Sequence, residues 1–148
     1  MQEEYLVFAD KQITIPVVNP ERTFLEKIFL LHEEFQKHSE KIRVDRLSRH
    51  LYDIEKLMDT EFAQIALSDN DLYTSIVEHR KSLTPIRGID YEKHSPNKIC
   101  IIPPLMVINE WEKDYKVMQN NMIYGNSLSF KQLLTRIEEL QSRINDIK

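Results

Sequence analysis

Four ionisable residues carry the most chemical information in this sequence: Lys27, Arg46, Arg49 and Asp53. They fall within residues 20–53, PERTFLEKIFLLHEEFQKHSEKIRVDRLSRHLYD. One ammonium, two guanidiniums and a carboxylate beside an apolar stripe suit a polyphosphate. Arginine forks onto phosphate oxygens, and lysine adds a point charge. The same pattern also fits plain structure. Asp45, Arg49 and Asp53 repeat every four residues, and Arg46, His50 and Asp53 form a neighbouring row. Both rows could be a surface ladder, each pair contributing about 0.3–0.5 kcal/mol.

Two helices must hold these groups. Asn19 is a cap and Pro20 fits a first helical position, although Thr23 with Glu26 offers a capping box a few residues later. Phe24, Ile28, Leu31 and Phe35 recur at helical spacing, and Lys27 borders that stripe. Residues 38–41 are polar and connect to a second helix expected over 44–58, with Leu47, Leu51, Ile54 and Met58 inward. A short helix over 61–67 leads to SDND, a cap and turn. Leu72, Ile76 and Leu83 mark a third main helix, ended by Pro85. Residues 84–97 read as a long loop, and 99–102 as a short strand or buried extended run. A helix over about 107–124 and a last one capped by Ser127 or Ser129 follow.

Upstream, YLVF and ITIPVV are rich in β-formers around ADKQ and predict a hairpin, with Pro16 restricting its second strand to an edge. The expected fold is therefore mainly α (α+β). It is one domain over 1–148, with about five helices in a bundle over 19–148 and a small β-hairpin over 1–18.

Composition narrows the function. The net charge of −4 gives no global attraction to nucleic acid or anionic membrane. Residues 37–49 hold five Lys/Arg against Glu40 and Asp45, a locally basic stretch of a kind that usually is a solvated face. The single Cys100 excludes a disulfide framework or cysteine zinc site and reads as a small buried hydrophobe. The acidic MQEEYLVF start does not read as a signal peptide, and no run approaches a membrane span, so a cytoplasmic location is expected. Gly88 and Gly125 are the only glycines, which excludes a glycine-rich phosphate loop. The five histidines lack ligand spacing, so metal ligands are not expected, and each reads as a surface or partly buried side chain.

NPERTFLEKIFLLHEEF followed by RLSRHLYDIEKLM resembles the AbiEii/AbiGii toxin family of nucleotidyltransferases. DYKVMQNNMIYGNSLSFKQLLTRIEELQSRIN looks like the same family's carboxyl-terminal helices. The resemblance implies the helical carboxyl-terminal part of a polymerase-β-like nucleotidyltransferase from a type IV toxin–antitoxin or abortive-infection system. It implies a nucleotide partner, RNA acceptors such as tRNA ends, and an antitoxin or a second copy as protein partner. The family's helical lysine and later aspartate fall on Lys27 and Asp53, which implies Lys27 as a phosphate ligand and Asp53 as the catalytic candidate, either orienting the lysine or acting near the reacting hydroxyl as a base. Arg46 and Arg49 join as phosphate contacts by helical geometry. The family's Gly-Ser turn and metal-binding Asp-x-Asp pair have no counterpart upstream of these helices. The chain alone is thus expected to carry no cofactor and no autonomous transfer, as a truncated product or separate helical half. Magnesium and a nucleoside triphosphate would enter with a supplied catalytic half.

Two other readings compete. The helices at 111–122 and 130–147 could serve a non-catalytic interaction module. The spacing of Arg43 and His50 loosely resembles that of the HEPN-domain ribonucleases, which cut RNA across a dimer interface.

Overall fold

The computed structural model describes residues 19–83, 86–121 and 127–147. The hairpin expected over 1–18 lies outside the described residues. The rest is mainly helical, with no strand among the described residues.

Six α-helices follow in order: α1 (Pro20–Gln36), α2 (Ser48–Leu57), α3 (Glu61–Ser68), α4 (Asn70–Leu83), α5 (Ile108–Asn121) and α6 (Phe130–Asn145). Their starts have local causes. The Asn19 side chain accepts from Arg22 N at 2.9 Å, with Pro20 in the first turn, so this cap sets the start of α1. Thr60 accepts from Ala63 N to open α3, and Asp69 from Leu72 N to open α4. Ser129 and Gln132 form a reciprocal capping box on α6. Residues 99–102 belong to no helix or strand, and Ile99 and Ile101 are buried.

The first helix is central. It packs on α2, α3 and α4, and α2 packs in turn on α5 and α6. The stripe expected on α1 is therefore too narrow: Leu25 and Phe29 are fully buried with Phe24, Ile28 and Leu31, whereas Phe35 is half-buried. A helix covered on several sides needs apolar groups around most of its circumference. Phe29 meets Tyr73 of α4 edge-on at 4.9 Å, and Phe35 meets Trp111 of α5 at 5.0 Å.

Cys100 is exposed rather than a buried hydrophobe. His32 and His94, expected at or near the surface, are 3% and 0% exposed.

Candidate functional site

The structure brings two of the four candidate residues into contact. Lys27 Nζ of α1 donates to Asp53 Oδ2 of α2 at 3.2 Å. Both side chains are half-buried, 25% and 30% exposed. The residues are 26 apart in sequence, and the contact exists because α1 packs on α2. Among the described residues Asp53 is the lysine's only hydrogen-bond partner, which leaves ammonium protons and one carboxylate oxygen for something else.

Arg46 and Arg49 sit elsewhere on the same two-helix unit. The second helix begins at Ser48, not at 44, so Arg46 precedes it and cannot share a helical row with His50 and Asp53. Its φ of 63° is left-handed, a conformation that side chains disfavour. Asp114 of α5 holds that turn: its carboxylate accepts from Arg46 N at 2.8 Å, Ser48 N at 3.1 Å and Ser48 Oγ at 2.5 Å. Leu47 stands at the cap position without a side-chain bond, so Asp114 caps α2 from 66 residues away. A carboxylate there also suits the positive end of the helix dipole. Arg46 and Arg49 are exposed beside this cap. With Asp45, Asp114, Val117, Met118 and Asn121 they line a surface depression of about 420 Å³.

His50 links the two groups. Burial and the Lys27 ammonium hold its imidazole below the ordinary histidine value. Asp53 opposes them, and Arg49 and Arg43 add to them. Arg43 itself is tied to the buried Glu34 through its backbone N at 2.9 Å and its guanidinium at 2.8 Å. That pairing occupies the arginine a HEPN-like reading would need.

A denser polar cluster lies on the opposite flank of α1, and sequence reasoning missed it. Glu33 is 1% exposed, yet its carboxylate takes Arg80 Nε at 2.7 Å, Arg80 Nη2 at 2.5 Å and His94 Nε2 at 2.8 Å. Burial pushes Glu33 up, and the bonds from Arg80 and His94 outweigh that and hold it below the usual carboxylate value. His32 Nδ1 accepts from Cys100 N at 3.0 Å, and Gln36 exchanges two bonds with the Asp90 backbone. Burial, then the neighbouring His94, lowers His32 to about 4. Tyr73 donates its hydroxyl to the His94 carbonyl. Three adjacent polar positions of α1 thus strap residues 90–100 to the body. The signal available was the row Leu25, Phe29, Glu33, an apolar line ending in an acid.

The described residues do not fit a catalytic magnesium. Among the described residues no group of three or more His, Cys, Asp or Glu could hold a metal. An Asp-x-Asp does occur downstream, at Asp69 and Asp71, but Asp69 accepts from Leu72 N at 3.0 Å as the cap of α4. Asp53 is already neutralised by an ammonium. No described helix is long and apolar enough to cross a membrane.

A family model described as nucleotidyl transferase AbiEii toxin, type IV TA system, matches residues 2–136. Comparison with curated proteins and with solved structures finds no match. The chain belongs to the AbiEii family.

Proposed function

We propose, from that membership, that the α1–α2 face holds the phosphates of a nucleoside triphosphate, as the helical part of a polymerase-β-like nucleotidyltransferase toxin. The supporting observation is the Lys27–Asp53 contact at 3.2 Å, half-open to solvent and with donors to spare. Lys27 acts as a point charge on the phosphates. Asp53 orients that ammonium; its engagement with the lysine favours this over a base role. Arg46, just before α2, and Arg49, in its first turn, form a cationic rim.

Transfer itself needs acids that this face does not supply, so the described residues bind nucleotide without transferring it. The acceptor is RNA, with tRNA ends the class the family resemblance suggests. The type IV system implies a cognate antitoxin. The test is a titration of GTP, CTP, ATP and UTP, each with magnesium. Saturable binding that weakens in Lys27→Ala and Arg49→Ala is expected; binding indifferent to both changes would refute the phosphate role.

A second reading, an interaction module, draws on exposed apolar side chains. Leu105, Met106 and Val117 are 87%, 78% and 58% exposed, before and along α5. The partner would be a second copy or the antitoxin. A concentration-independent monomer in sedimentation, with no binding to the antitoxin, would remove this reading.

A further inference from the structure

Where α2 meets α5 the chain strains its own backbone, and Asp114 holds the strain in place. Arg46 takes a φ of 63°, a conformation that costs free energy for any residue with a Cβ and that glycine adopts without it. Its turn is nonetheless fixed, because the Asp114 carboxylate accepts from Arg46 N and from both donors of Ser48. Over-determined strain of this kind clusters at ligand sites. The turn sets Arg46 on the edge of the depression of about 420 Å³ lined by residues of 45–49 and of α5.

Beyond its arginines that lining does not favour more phosphate. Two aspartates, Asp45 and Asp114, match Arg46 and Arg49, so the depression carries no excess positive charge. Asp114 has also filled the start of α2, where an anion would otherwise find backbone donors. What remains suits a flat, neutral ring with polar edges. Val117 and Met118 supply apolar surface. A guanidinium offers N–H edges to a phosphate and its plane to a ring. The Asn121 amide offers donors and an acceptor to a ring edge. Among the described residues no hydrogen bond or ion pair occupies the side chains of Arg46, Arg49 or Asn121.

The depression also lies where a nucleotide would continue. Arg49 and Asp53 are four residues apart on α2 and share a face, about 6 Å along its axis. Asp53 touches Lys27. The depression thus begins about one helical turn from the proposed phosphate contact. We propose that it takes the base of the nucleoside triphosphate whose phosphates meet Lys27, with Val117 and Met118 against the ring and Asn121 reading its edge. The proposal rests on the triphosphate reading above.

Calorimetric titration of the full chain with magnesium and either inorganic triphosphate or each of GTP, CTP, ATP and UTP tests this. At least one nucleotide should bind about tenfold more tightly than inorganic triphosphate. Asn121→Ala should remove about three- to tenfold of that advantage and Val117→Asn about threefold, both leaving inorganic triphosphate unchanged. Both side chains are exposed on α5, so both variants should keep the natural melting temperature. Lys27→Ala should weaken nucleotides and inorganic triphosphate alike. Nucleotides no tighter than inorganic triphosphate, or nucleotide affinities untouched by both α5 variants, would overturn the base site and leave the phosphate reading standing. No binding of any triphosphate, or binding indifferent to Lys27→Ala, would instead sink the phosphate reading, and the base placement with it. A single-stranded RNA oligonucleotide whose binding alone responds to the two α5 variants would also overturn the proposal, giving the depression to the acceptor.

Discussion

The first helix carries polar groups on two flanks, and the two are wired differently. Lys27 and Gln36 are nine residues apart, which at about 100° per residue places them half a turn apart. On the Gln36 side, Glu33 is buried and its carboxylate is filled by Arg80 and His94. His32 and Gln36 spend their capacity on the backbone of residues 90–100. On the Lys27 side a single contact joins two half-exposed side chains; an unpartnered buried Nδ1 occurs on both flanks, at His50 and at His94. A buried network whose carboxylate is filled specifies a structure, because that carboxylate's partners are already committed. An unsaturated, half-open one has capacity left for a ligand. Solvent access to the paired groups separates the two flanks.

Removing one partner from the saturated flank should have the largest effect. Glu33→Ala leaves Arg80 and His94 facing each other without a carboxylate and should cost about 3–5 kcal/mol, read from the urea midpoint. A loss below about 1 kcal/mol would erase the distinction between the flanks. Acid should act on the same flank. Burial, then His94, holds the His32 imidazole down to about 4 in the folded chain, against the ordinary 6.5 of an unfolded one. The folded chain therefore binds fewer protons across that window. Stability is fully present above the upper value and declines as pH falls toward the lower, by on the order of 3 kcal/mol. Glu33 and Glu34, both held below 4.5, add their loss only beneath that value. His32→Gln should flatten the decline between the two histidine values in pH-dependent denaturation.

Asp114→Ala should come next, at about 1–2 kcal/mol, the range for losing a helix cap. Thermal melting would detect it. It should also weaken triphosphate binding, because the left-handed turn at Arg46 loses its anchor. A destabilised variant with full affinity would show that Arg46 contributes nothing to the rim. Lys27→Ala should have the smallest effect on stability, under about 1 kcal/mol, since half-exposed pairs contribute little.

How much of this was legible depended on how local each cause is. The starts of α1, α3, α4 and α6 follow from caps within four residues of the helix, and Asn19–Pro20 and Ser129 were readable directly. Lys27 and Asp53 could be nominated because each borders an apolar stripe, though only packing of α1 on α2 joins them. Arg46 was misplaced because helical periodicity carried the reading back to 44, whereas the turn there is held by Asp114 from a distant helix. No local pattern announces a cap supplied from 66 residues away. Glu33 was hidden by the habit of treating acids as solvated. Its burial requires Arg80 and His94, which arrive from α4 and the following loop. Cys100 failed in the opposite direction: in KICII the isoleucines on either side turn inward and the cysteine outward.

A double-mutant cycle on Lys27 and Asp53, read both by denaturation and by triphosphate titration, tests the central claim most directly. The pair should couple by less than about 1 kcal/mol in stability, while Lys27→Ala alone lowers triphosphate affinity about tenfold or more. Coupling of several kcal/mol with affinity unchanged would make this contact another structural strap and leave the α1–α2 face without a ligand.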